Sequence, residues 1–238
     1  MKMKIYAIAV IAALGMFASC DKELVTYDKG DIKIYVEKGD NWLHDFPLFL
    51  GIKLKNPPQI AIWIEDMNGN YISTIYVSRK AATQSWQSSG GNRRKEALPI
   101  WCYARGIQYP DGLYLPTKDK PLVDGLSGAT PHGSFDVKIL PVRDLKRFIV
   151  KIEINHSTDW NDNHPKDAKE GNTGYSGDSG QPAIVYSAAI DLDSNQKQYT
   201  AELIGHSSPD GSNGEIYPDT SNLTSALNIV KKIIITIE

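Results

Sequence analysis

Thr130 ends the run Asp124-Gly125-Leu126-Ser127-Gly128-Ala129-Thr130 and is followed by Pro131. Its hydroxyl is a group that a second enzyme can esterify. Gly128 and Ala129 are small enough to let another protein reach the backbone, and Pro131 biases Thr130 toward an extended conformation that projects the hydroxyl. The plainer alternative is a Gly-rich turn leading into the next strand. Ser179, inside Gly177-Asp178-Ser179-Gly180-Gln181-Pro182, is a second hydroxyl of interest. A serine becomes nucleophilic only with a histidine base in hydrogen-bond reach and a third group to orient that base. His44, His132 and His156 precede it, without a local setting that marks any of them as the base. Asp159-Trp160-Asn161-Asp162-Asn163, with Asp167 and Glu170 further on, has the oxygen-donor spacing of a calcium loop. His164 and Pro165 occupy the place of the glycine that makes such a loop turn, and Asx turns account for the same residues. His132, His156, His164 and His206 lie in separate loops without zinc-ligand spacing.

The elements that must position these groups read as strands. Residues 31–37 (DIKIYVE) alternate apolar and polar side chains, the period of a half-buried strand. Residues 60–78 hold two apolar runs around Asn68-Gly69, a pair that supplies positive φ at a tight turn, so a hairpin is expected. Further strands are expected at 134–140, 148–154, 183–192 and 231–238, all rich in β-branched residues. A helical turn is expected only within 222–231. Residues 83–96 and 155–181 carry no sustained apolar period and read as long loops, where chemistry is to be sought. The expected fold is all-β: an immunoglobulin-like antiparallel β-sandwich with long loops.

The N-terminal end bears on the compartment. Lys2 and Lys4 precede an apolar run at 5–17, within the roughly 7–15 residues of a signal-peptide core and short of the ~20 a spanning helix needs. Phe17-Ala18-Ser19-Cys20 is similar to a lipobox, so cleavage after Ser19 and acylation of Cys20 are expected. Residues 1–19 then form a signal peptide, 20–30 a lipidated cysteine with a polar tether, and 31–238 a single β-sandwich domain. Such a protein sits in the cell envelope, anchored to a membrane on the periplasmic side or at the cell surface. Cys102 is the only other cysteine, which leaves the mature chain without an intramolecular disulfide. In Pro99-Ile100-Trp101-Cys102-Tyr103 it reads as a small packed hydrophobe. A net charge of −2, with no basic cluster beyond Arg93-Arg94-Lys95, excludes nucleic-acid binding.

Three resemblances add to this. Asp124, Ser127, Gly128, Ala129 and Thr130 match the attachment motif of extracytoplasmic FMN-binding domains, in which a flavin transferase esterifies the last hydroxyl with the phosphate of FMN. By position that acceptor is Thr130. Gly177 to Pro182 resembles the nucleophile segment of chymotrypsin-like proteases, with Gln181 in place of a glycine. From residue 60 onward the chain resembles an uncharacterised family of periplasmic β-sandwich proteins, domain of unknown function 2271. The residues carrying that likeness are Ala61 to Asp66, Leu98 to Trp101, Asp124 to Thr130, Asn155 to Asn161, Gly180 to Tyr186 and the C-terminal strand. The resemblance implies an extracytoplasmic electron-transfer setting beside flavin transferases and membrane redox proteins. Three expectations stand: a flavin-linked accessory lipoprotein with FMN at Thr130, a non-catalytic binding or adhesion module for a protein or glycan, and hydrolysis at Ser179. No residue is assigned a catalytic role.

Overall fold

The computed structural model describes residues 31–47, 50, 52–86, 93–117, 119–120, 122, 126–139 and 145–238. Cys20, the expected signal peptide and tether, and Asp124 lie outside the described residues.

Two sheets carry the fold. The smaller contains β1 (Ile32–Lys38), β7 (Phe135–Ile139), β10 (Gln198–Thr200) and β12 (Val230–Ile237) in the order β10-β12-β1-β7. Its strands are all antiparallel. The larger contains β4 (Gln59–Glu65), β5 (Tyr71–Ser78), β6 (Leu126–Gly128), β8 (Arg147–Asn155), β9 (Ile184–Asp191) and β11 (Glu202–His206) in the order β11-β9-β8-β4-β5-β6. Every pair in it is antiparallel except β5 with β6, which run parallel. A separate hairpin joins β2 (His44–Pro47) to β3 (Lys53–Asn56). The all-β expectation holds.

The alternation in β1 does what its period implies. Ile32, Ile34 and Val36 are buried, and Lys33, Tyr35 and Glu37 are not. They meet Ile60, Ile62 and Ile64 of β4 and Phe148, Val150, Ile152 and Ile154 of β8 in one core between the two sheets. Each such side chain, fully buried, contributes about 1.5–3 kcal/mol. β4 departs from alternation, because all seven of its residues are buried. Its other face, Ala61 and Trp63, joins Val77 and Val185 in a second core. That core is closed by two short helices, α1 (Arg79–Thr83) and α2 (Pro99–Ala104). The larger sheet is thus covered on both sides.

Neither helix is expected from the sequence, since five or six residues are too few to establish a helical period. Tertiary contacts hold them instead. Glu153, fully buried on β8, accepts the backbone N–H of Ile100 (3.1 Å) and of Trp101 (2.8 Å), giving α2 the N-terminal cap its own sequence lacks. Burial pushes the Glu153 carboxyl up to about 8, against the pull of those two donors. The expected helical turn is a 3-10 turn at Ser225–Asn228, after which β12 begins. In the β4–β5 hairpin, Gly69 alone takes positive φ (85°), and Asp66 accepts the backbone N–H of Asn68 and Asn70 through its carboxylate. The turn is an Asx-capped one with a single left-handed residue, not a pair. Residues 109–117 are clasped by Arg93 through the Leu115 carbonyl and the Asp111 carboxylate.

Candidate functional site

Residues from the hairpin, the sheet end and the long loops meet in one groove. Its larger chamber, about 470 Å³, is walled by His44, Phe46, Leu54 and Asn56 of the β2–β3 hairpin and by Trp86, Arg94, His156 and Thr158 opposite. A smaller chamber of about 260 Å³ is lined by Arg79, Lys80, Gly128, Ala129, Thr130 and His132. Asn56, Pro57, Gln59 and Lys80 border both, so the two are parts of one groove.

Arg94 organises the far wall. Its guanidinium lies 4.6 Å from the centre of the Trp86 ring. Nε donates to Glu96 (2.9 Å), Nη1 to Ser157 Oγ (2.6 Å) and Nη2 to Ser179 Oγ (2.8 Å). The Arg94 and Glu96 side chains are 5% and 7% exposed, so this is a buried ion pair with most of its donors satisfied, not a free cation awaiting a ligand. Gln84, in left-handed conformation at the end of α1, ties the segment down by accepting from Trp86 Nε1 and from the Arg94 backbone N–H.

The same network sets the chemistry of Ser179. Its hydroxyl is fully buried, donates to Asn155 Oδ1 (2.9 Å) and accepts from Arg94. A hydroxyl committed to an amide and a guanidinium has no base to activate it, and Gly180 beside it closes a backbone bridge to Asp159. The nucleophile-like segment is a buried brace for the loop at 155–181.

Of the motif residues, Ser127 to Thr130 lie at the sheet edge. β6 is three residues long and is held by its parallel ladder to β5. Ser127 and Ala129 are exposed and Gly128 is half-buried. The residues on either side of Thr130 are held: Tyr76 donates to the Ala129 carbonyl (3.2 Å), and Trp42 Nε1 to the Pro131 carbonyl (2.9 Å). Thr130 itself is 7% exposed, and among the described residues its Oγ1 has no hydrogen-bond partner. The extended, outward-projecting hydroxyl expected from Pro131 is therefore turned inward in this conformation.

The histidines divide. His44 and His156, far apart in sequence, bring their rings to 5.3 Å. His156 is pushed down to about 4 by burial and is neutral at ordinary pH. A carbonyl can only accept, so His156 Nε2 carries the proton it gives to Asn41 (2.9 Å). His44 Nε2 donates likewise to the Thr158 carbonyl (3.2 Å). Thr158 holds a φ of 62°, a strained conformation for a β-branched residue, and it faces the groove. Asp159 points away from calcium-loop geometry, with Oδ1 accepting from Ser225. Asn161 Oδ1 accepts the backbone N–H of Asn163 and His164, an Asx turn. Among the described residues no three His, Cys, Asp or Glu side chains gather as a metal-binding group. Cys102 is buried in the second core, its thiol pushed up by desolvation.

Sequence reasoning missed Gln59, Trp86 and Arg94 as site residues. Only Arg94 left a signal, as part of the single basic cluster, set in a segment without apolar period. Comparison of the chain with protein-family models, with curated proteins and with solved structures finds no match.

Proposed function

We propose that this chain is a lipid-anchored envelope protein that serves flavin-linked electron transfer and carries FMN as a phosphate ester on Thr130. In this reading its two sheets form an immunoglobulin-like sandwich. Acylated Cys20 holds it to a membrane, on the periplasmic side or at the cell surface, and its partners are a flavin transferase and membrane redox proteins.

Thr130 carries the reading. Its hydroxyl is unpartnered among the described residues, and the residue borders a chamber that also holds Arg79, Lys80 and His132, groups suited to a phosphate. The transferase supplies the donor, a flavin dinucleotide. The Thr130 Oγ–P bond forms as the donor's pyrophosphate bond breaks, the nucleoside monophosphate leaves with the bridging oxygen, and the hydroxyl proton passes to the transferase and solvent. Because Oγ1 is enclosed, the transferase must first ease the three-residue edge strand β6 away from β5, a small number of hydrogen bonds to break. Bound FMN supplies the redox chemistry, while the protein supplies position and electrostatic environment.

The test is the intact mass of the protein co-expressed with a transferase in an exporting host. One FMN is expected on the peptide containing Thr130 and none in Thr130→Val. An unmodified wild type, with a control substrate modified in the same cells, overturns the ester. The second reading, a non-catalytic binding module, is favoured by the groove, whose larger chamber exists independently of Thr130.

A further inference from the structure

The larger chamber has a composition of its own. Phe46, Leu54, Pro57 and Trp86 give it apolar and aromatic surface, while Asn56, Gln59, Ser157 and Thr158 give it amide and hydroxyl edges. Its volume of about 470 Å³ falls within the ~300–1,000 Å³ of small-molecule sites. Gln59 is 8% exposed, borders both chambers, and its Oε1 has no hydrogen-bond partner among the described residues. Thr158, bordering the larger chamber, also carries a buried hydroxyl without a partner there, on a strained backbone. Buried acceptors are rarely left unmatched, because each costs about 1–3 kcal/mol. Two such atoms, enclosed on residues that border one groove, mark a place where a ligand's polar groups complete the structure once those side chains turn toward it.

We infer that this chamber is the seat of the flavin ring: the isoalloxazine lies between the β2–β3 hairpin and the Trp86–Arg94 wall, with its imide edge read by Gln59. The inference rests on the flavin reading above. An isoalloxazine is flat, largely apolar, and presents one N–H between two carbonyls. Gln59 Oε1, enclosed in this conformation, turns toward the chamber to accept from that N–H, and the Gln59 amide group is the complementary donor for a neighbouring carbonyl. Because Asn56, Pro57, Gln59 and Lys80 are common to both chambers, one ligand spans them, with its phosphate beside Thr130, Arg79 and Lys80 and its ring beyond Gln59. The rim that covers the ring is the hairpin, whose Leu54 is half-exposed beside an inward Phe46.

The experiment separates ring from ester. Riboflavin, which has no phosphate, is titrated into exported Thr130→Val protein and followed by flavin fluorescence. One riboflavin is expected to bind with quenching by the nearby Trp86. Gln59→Leu should weaken that binding about tenfold through loss of one buried hydrogen bond. Leu54→Asp, at an exposed position that spares the fold, should weaken it as well. Riboflavin binding without a Thr130 adduct upholds the chamber and overturns the ester. An adduct at Thr130 whose fluorescence and iodide quenching equal those of free FMN, unchanged in Gln59→Leu, overturns the chamber and leaves the ester standing. No adduct and no riboflavin binding overturns both.

Discussion

Replacing Arg94 with methionine removes the charge that joins Glu96, Ser157 and Ser179 while keeping most of the aliphatic stem. Glu96 is then left as a buried carboxylate with the Asp178 backbone N–H donating to Oε1. Breaking a buried ion pair from one side costs about 3–5 kcal/mol, and loss of the stacking on Trp86 adds about 1. Against a net stability of roughly 5–15 kcal/mol that is a large fraction. At about 2–4 °C per kcal/mol for a chain of this size, the loss of about 4–6 kcal/mol should lower Tm by roughly 8–24 °C. Most of the penalty is the stranded charge, so Arg94→Met combined with Glu96→Gln should regain more than half of the loss. Urea unfolding followed by tryptophan fluorescence measures both. A single variant within about 1 kcal/mol of wild type, or a double variant as unstable as the sum of the two singles, would refute the reasoning.

Two further outcomes follow from the packing. His156, lowered to about 4 from 6.5, loses stability for the fold as pH falls from 6.5 toward 4, because the unfolded chain takes up the proton first. Glu153, raised to about 8 from 4.5, loses it as pH rises from 4.5 through 8, because the unfolded chain releases the proton first. The slopes oppose each other between pH 4.5 and 6.5, so thermal scans should find a near-plateau there and a decline between 6.5 and 8. His156→Gln should turn the plateau into a steady fall from pH 4.5 upward, and an unchanged profile would count against the assignment. Gly180 takes a φ of 81° with the Asp159 backbone carbon 2.4 Å from any added Cβ, whereas Gly69 has a similar φ and open space. Gly180→Ala should cost about 3 kcal/mol and Gly69→Ala about 1, in denaturant melts. Equal losses would mean that the loop at 155–181 does not depend on the close bridge at Asp159.

Much of the fold was legible where one face of a strand meets the core and the other meets water. β1, the β4–β5 hairpin and β8, β9 and β12 all carry that pattern, or the β-branched runs that replace it when both faces are covered. β2, β3, β6 and β10 are three or four residues long, too short for a period to register. The turn at Asn68-Gly69 was legible as a turn, but its type was decided by the Asp66 side chain, which out-competes the positive φ that Asn68 would otherwise adopt.

The candidate site divides along the same line. The residues at 127–130 were singled out by their resemblance to a flavin-attachment motif, which is legible because it is a run of neighbouring residues. The enclosure of Thr130 is a tertiary matter, with Tyr76 and Trp42, from other parts of the sequence, holding the Ala129 and Pro131 carbonyls on either side of it. Ser179 read as a nucleophile by its neighbours and is a brace by its partners, Arg94 and Asn155, which lie 85 and 24 residues away. The groove joins hairpin, helix and loop residues with no shared spacing, so no window on the sequence contains it. Local chemistry is written in neighbouring residues and was determined by the sequence directly. Which of those groups face one another depends on sheet order and on which buried partner each polar atom finds, and only the folded chain decides that.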